Sequence, residues 1–118
     1  MPKGTPEEKA ARAAAMEEAT LYAASVPLKT MEASLKALPL ALEMALKGNP
    51  ASASDAGVAA LAAVAAIRGA ELNVRINASG LADKSAAAPL LARAAEIVTE
   101  AEAMQTEVLK AVNANIDL

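Results

Sequence analysis

Three side chains in this 118-residue sequence combine a chemically useful type with a suggestive position: Asp55, Asn73 and Asn77. All three lie in the stretch GNPASASDAGVAALAAVAAIRGAELNVRIN (residues 48–77), which is otherwise dominated by Ala, Gly, Val, Leu and Ile. A carboxylate at the start of an apolar helix can serve as a general acid or base, or can simply complement the positive end of the helix dipole. Carboxamides carry donors and an acceptor and are costly to bury without partners, so Asn73 and Asn77 either bond to a neighbouring helix and fix its register or face a ligand. Ser52 and Ser54, with the free amides of a first helical turn, can bind an anionic group. Ser52 and Asp55 also have the three-residue spacing of a capping box. Eighteen residues separate Asp55 from Asn73, about 27 Å along a straight helix at about 1.5 Å per residue. The two cannot share one small site within a single chain; only an antiparallel second subunit would bring one chain's Asp55 near the other's Asn73.

These residues need a helix to hold them. At about 100° per residue, Asp55, Ala59, Ala62, Ala66, Gly69 and Asn73 fall on one narrow stripe with Asn77 beside it. Val58, Leu61, Leu72 and Ile76 flank it on one side and Ala63, Ile67 and Val74 on the other, leaving Arg68, Glu71 and Arg75 as an ion-pair row. A helix apolar over so much of its circumference is expected to be buried by several neighbours. Its small-residue stripe either admits another helix closely or leaves a groove between polar ends. The predicted architecture is therefore all-α, a single domain over residues 1–118 with about four helices, some kinked at proline, around this central Ala-rich helix.

The remaining elements follow in order. Thr5, Pro6 and Glu8 make a strong helix start, and Pro27 predicts a break or sharp kink after Ala24. Leu28 to Lys47 keeps a helical period through Pro39 and reads as one bent helix. Gly48, Asn49 and Pro50 stop it, Gly and Asn being tolerant of a left-handed backbone. The central helix ends near Ser79 and Gly80, and a last helix, starting between Asp83 and Pro89, presents Leu90, Ala94, Ile97, Ala101, Met104, Val108 and Val112 on one side. Met16, Met31, Met44 and Met104 are expected in the core.

Composition narrows the function classes. Hydrophobic residues are 55% of the chain, yet it has one Tyr, no Phe and no Trp, so burial falls to small side chains and self-association is the natural remedy. A net charge of −3 without interleaved aromatics argues against nucleic acid as a partner. There is no Cys and no His, which removes thiol nucleophiles, imidazole bases and His-based metal sites from this chain; no metal is expected, and a cytoplasmic location fits. The apolar run from Gly57 to Ile67 is short of the roughly 20 residues a bilayer requires, so no membrane partner is expected either.

The blocks GNPASASDAG (48–57), GAELNVRIN (69–77) and GLAD (80–83), with PKGTPEEK (2–9) and VPL (26–28) in the expected order, closely resemble the cyclodeaminase/cyclohydrolase family of folate enzymes. The resemblance covers nearly the whole chain and implies an all-helical, dimer-forming fold acting on the one-carbon bridge of tetrahydrofolate. Cyclohydrolases open 5,10-methenyl-tetrahydrofolate with water to the 10-formyl compound; cyclodeaminases close 5-formimino-tetrahydrofolate to the methenyl form with loss of ammonia. Cyclohydrolase is the preferred expectation, with cyclodeaminase, or a non-catalytic helical assembly module, as the alternatives. On this resemblance Asp55 is the candidate catalytic residue, and Lys3, Asn49, Ser52, Ser54, Asn73 and Asn77 are candidate substrate contacts. Family domains are nearly twice as long, and an acidic residue on the helix before the PK segment, proposed as catalytic, has no counterpart here. The chain is thus expected to correspond to the C-terminal portion of such a domain, working as a homodimer or together with the N-terminal helices.

Overall fold

The computed structural model describes residues 4–116. The described chain is helical apart from short caps and loops: α1 (Pro6–Leu35), α2 (Ala37–Lys47), α3 (Pro50–Ser79) and α4 (Lys84–Ile116). Thr5 caps α1 in a reciprocal box. Its Oγ1 accepts from the Glu8 N–H at 3.1 Å, and the Thr5 N–H donates to Glu8 Oε1 at 2.9 Å, which holds the Glu8 carboxyl below its usual range. Pro27 lies inside a continuous α1, so of the break or kink expected there the break does not occur. The break falls instead at Lys36, which separates α1 from α2 while keeping helical dihedrals of −66° and −21°. Pro39 is the physical reason: it has no N–H for the Leu35 carbonyl and its ring crowds that oxygen, so α1 stops at Leu35 and Pro39 sits in the first turn of α2, where its missing donor does no harm. Residues 28–47 are thus two segments rather than one bent helix.

At the α2–α3 turn Gly48 has φ −73° and ψ 165°, an extended conformation, and no described residue adopts positive φ. The left-handed turn anticipated there does not form. Glycine is required for space instead: a Cβ on residue 48 would lie 2.4 Å from the Met44 carbonyl oxygen, which already accepts the Gly48 N–H at 2.8 Å.

The central position of α3 is as expected, since it packs against α1, α2 and α4 alike. Its buried face is a column of small residues, Ala53, Ala56, Gly57, Ala60, Ala70 and Ala78, interspersed with Val64, Ile67 and Val74. Opposite it α4 buries Ala94, Ile97, Ala101, Val108 and Val112, and the α1–α2 arm buries Met31, Leu38, Ala41 and Ala45. No polar or charged residue is buried among those described. Met31 is in this core and Met104 lines its edge, but Met16 and Met44 are exposed, correcting their placement from sequence.

The assembly is a thin slab, 72 × 23 × 15 Å, with a radius of gyration of 19.8 Å against the roughly 13–14 Å of a compact domain this long. The shortest dimension corresponds to about two packed helix layers, which leaves one side of α3 uncovered. Val58, Leu72 and Ile76 are each more than 60% exposed, so the expectation of burial around most of its circumference fails. By length and composition α3 is apolar enough to cross a membrane; counting only residues 57–67 had underestimated it. A helix that lines a bundle core with one face meets the same measure.

Candidate functional site

A groove of about 670 Å³, open to solvent, runs between α1 and α3. Ala23, Val26, Pro27 and Thr30 form one wall; Ala66, Gly69, Ala70, Asn73 and Asn77 form the other. It exists because both walls lack bulk. The Ala/Gly stripe of α3 leaves room beside α1, and a Cβ placed on Gly69 would meet nothing within 4 Å. The stripe therefore forms a groove between helices rather than a close helix contact.

Asn77 closes one end. Its Nδ2 donates to the Ala23 carbonyl of α1 at 3.3 Å and to the Asn73 carbonyl, one turn earlier on its own helix, at 2.9 Å. Ala23 is the residue whose helical donor would be the N–H of residue 27, and Pro27 has none. The orientation of the amide follows from chemistry: both partners are carbonyls, which only accept, so the nitrogen must face them. Asn73 is exposed at the groove lip. Thr30 turns its hydroxyl back to the Val26 carbonyl at 3.4 Å.

The other candidates from sequence lie elsewhere. Asn49, not Ser52, caps α3: its Oδ1 accepts from the Ser52 N–H at 3.1 Å, and Pro50 occupies the first helical position. The Ser52 hydroxyl donates to the Asn49 carbonyl at 3.1 Å. The Ser52–Asp55 capping box does not form, because Pro50 fixes the helix start three residues before it was expected. Asp55 is exposed, with no hydrogen bond or ion pair among the described residues, and Ser54 is exposed beside it. Continuity of α3 keeps Asp55 about 27 Å from Asn73. Lys3 lies outside the described residues.

Several polar ties had no local signature in the sequence. The Glu17 carboxylate on α1 accepts both the Ala82 and the Asp83 N–H at 2.9 Å, holding the α3–α4 loop, and these amides, Ala82 first, keep its pKa below the usual range. Asp83 caps α4 through the Ser85 hydroxyl and N–H, which lower its own pKa; its position just before Lys84 was the available clue. Lys84 Nζ satisfies the Leu81 and Ser79 carbonyls at 2.7 and 3.1 Å. Arg93 of α4 grips Glu32 of α1 in a two-pronged pair at 2.8 and 2.7 Å, lowering the Glu32 pKa and raising its own. Arg68 pairs along α3 with Glu71 at 3.6 Å, as the spacing suggested, and in addition bonds Glu102 of α4 at 2.6 Å.

A family model described as formiminotransferase-cyclodeaminase matches residues 1–96, a span that contains the whole groove and the loop held by Glu17. The chain belongs to this family. Among formiminotransferase-cyclodeaminase relatives, it is 41% identical to a methenyltetrahydrofolate cyclohydrolase of Methylorubrum extorquens over 117 residues, 99% of this chain and 56% of that protein. It is 38% identical to the formimidoyltransferase-cyclodeaminase of Sus scrofa over 114 residues, 97% of this chain and 21% of that protein. The corresponding protein of Mus musculus is 41% identical over 83 residues. The chain thus spans little more than half of the first relative and about a fifth of the second.

Proposed function

We propose that this chain acts in folate one-carbon metabolism, in the hydrolysis of 5,10-methenyl-tetrahydrofolate to 10-formyl-tetrahydrofolate. The observation that carries this reading is the 41% identity over 99% of the chain to a protein named as that cyclohydrolase. The α1–α3 groove supports it as the place for a flat, largely apolar ligand with a few polar atoms: its walls are aliphatic, and its polar side chains are Thr30, Asn73 and Asn77. Water adds to the bridging carbon of the cationic methenyl group and releases one proton to solvent, the carbon–N5 bond breaks, and the second water proton ends on N5, leaving the formyl group on N10. A well-placed acid or base is typically worth about 10²- to 10⁴-fold in such steps. None of the groove-lining side chains titrates, and Asp55 lies far along α3. This chain therefore contributes binding and orientation, with the principal acid or base supplied by residues outside it.

Assembly belongs to the same proposal. The uncovered side of α3, with Val58, Leu61, Leu72 and Ile76 exposed, is assigned to a second copy of the chain or to N-terminal helices of the family domain.

The test follows loss of the methenyl-tetrahydrofolate absorbance. It compares the chain alone, the chain joined behind the N-terminal portion of the Methylorubrum relative, and the joined form carrying Asp55→Asn. The joined form is expected to be active and the short chain slower by two orders of magnitude or more, on the scale of general acid–base catalysis. Full activity of the short chain overturns the external acid/base; an inert joined form overturns the cyclohydrolase reading, and ammonia release from the formimino substrate instead identifies the cyclodeaminase alternative. Unchanged activity of the Asp55→Asn form removes Asp55 from the chemistry.

A further inference from the structure

A proline inside a long helix removes one backbone donor and leaves the carbonyl four residues earlier without its ordinary partner. In α1 that carbonyl is Ala23's, and it is the one to which Asn77 Nδ2 reaches from α3, 54 positions away in sequence. A protein carbonyl half-sheltered between two helices is costly to leave without a donor. The second bond from Nδ2, to the Asn73 carbonyl on its own helix, fixes the side-chain rotamer, so the amide is presented to α1 already oriented.

Two further features make this contact specific. The α3 wall of the groove is built from Ala66, Gly69 and Ala70, residues whose low relief can slide past a neighbouring helix with little penalty. No charged pair joins α1 to α3 among the described residues; Glu32 of α1 pairs with α4, as does Arg68 of α3. Among the described residues the Asn77–Ala23 bond is thus the side-chain hydrogen bond that joins α1 to α3 directly, while Glu17 of α1 holds the loop that follows α3. The Asn77–Ala23 bond sits at the end of the groove that Pro27 also lines.

We propose that Pro27 and Asn77 form a matched pair, with Asn77 as a positioning residue: its amide replaces the donor that Pro27 removes, pins the register of α1 against α3, and thereby sets the width of the groove. The pairing goes beyond the folate reading, and only its consequence for ligand binding rests on that reading. Asn77 therefore acts on a bound folate through the position of the α1 wall.

A double-mutant cycle on the full chain tests it. Asn77→Ala alone leaves the half-sheltered Ala23 carbonyl without a protein donor and is expected to raise the unfolding constant about 5- to 30-fold. In a Pro27→Ala background the N–H of residue 27 serves that carbonyl, and the same Asn77→Ala change is expected to cost less than half as much on the logarithmic scale. Asn115→Ala provides the control. Asn115 Nδ2 bonds the Ala45 carbonyl at 2.8 Å, at the far end of α2, and its loss is expected to cost the same whether residue 27 is Pro or Ala. Additive effects of Pro27→Ala and Asn77→Ala, or equal coupling of Pro27 to Asn115, overturn the pairing. A second readout is binding of 5,10-methenyl-tetrahydrofolate, followed by its absorbance: Asn77→Ala is expected to weaken it on the order of tenfold, and Pro27→Ala in the same chain to recover most of that loss. Loss that persists in the double variant overturns the positioning role in favour of direct contact. A wild-type protein that binds no folate counts against the proposed function alone, because the unfolding cycle is read without ligand.

Discussion

The two faces of α3 are made of nearly the same material and meet opposite fates. One carries Ala53, Ala56, Gly57, Ala60, Val64, Ile67, Ala70, Val74 and Ala78 and is buried along the whole helix; the other carries Ala59, Ala62, Ala66 and Gly69, flanked by Val58, Leu61, Leu72 and Ile76, and is open. Ile67 is fully buried and Ile76 is 67% exposed, nine residues apart on one helix. Hydrophobicity does not separate them. What does is the side on which the neighbours stand: α1, α2 and α4 pack against the first face, while α1 meets the second only where it walls the groove, in a slab 15 Å thin. A helix apolar on both sides within so thin a body leaves an exposed apolar face, the face that the proposed assembly would cover.

The largest effect that can break this contrast is a pair of truncations. Ile67→Ala removes a fully buried side chain and is expected to destabilise the chain by about 2–5 kcal/mol, whereas Ile76→Ala is expected to change it by less than about 0.5 kcal/mol. Chemical denaturation at low protein concentration reads both. A cost at Ile76 that approaches the cost at Ile67 means the second face is covered in solution.

Next in size is the response of the assembly. If a second copy covers the open face, Leu72→Glu, at a position 61% exposed, places a carboxylate in the interface. It is expected to shift the mass seen by light scattering at micromolar concentration to that of one chain while leaving the helical circular dichroism in place. An unsubstituted protein that already scatters as a monomer refutes self-association outright.

Gly69→Ala sharpens the contrast from the groove side. A Cβ there meets nothing within 4 Å, so the isolated chain gains helix propensity and is expected to be stabilised by about 0.4–1 kcal/mol. If the groove holds folate against this backbone, the same methyl group reduces ligand affinity while thermal stability rises. Unchanged affinity would place the ligand elsewhere.

The smallest expected effect is confined to the loop where the buried face of α3 ends. Glu17 accepts from Ala82 and Asp83, and its pKa in the folded chain is below the ordinary 4.5. With a depressed folded pKa, its contribution is fully present above about pH 4.5 and is lost as pH falls through the folded value. Hydrogen exchange at the Ala82 and Asp83 amides, corrected for the intrinsic rate, is expected to accelerate below pH 4.5. In Glu17→Gln that acceleration disappears, and an identical profile in the variant would show that the grip is immaterial.

Much of the architecture was legible because its signals are local. Helix period, the Thr5–Glu8 box and Gly80 beyond the end of α3 each act within a few residues, and all three appear where the spacing put them. Boundaries set by proline were harder, since the same residue is tolerated within α1 at position 27, ends α1 from position 39 and opens α3 at position 50; the outcome depends on which carbonyl it displaces and what replaces the lost bond. The candidate site divides in the same way. Asn49 and Ser52 were found as polar residues at a helix start but serve the cap itself, while Asp55 was identified by type and stands alone in space.

The sequence by itself determined an all-α chain, a central helix with a stripe free of bulk, and two carboxamides at the far end of that stripe. Only the tertiary structure decided which side of the helix is buried, that the stripe borders a groove with α1, and that Asn77 reaches the Ala23 carbonyl opposite Pro27. Periodicity reports the angle of each side chain about its own helix axis and nothing about which helix stands at that angle. A missing donor at one position and a spare donor 50 residues later are visible in the chain, but their meeting depends on the length of α3, the turn at Gly48 and the packing of Ala against Ala between them.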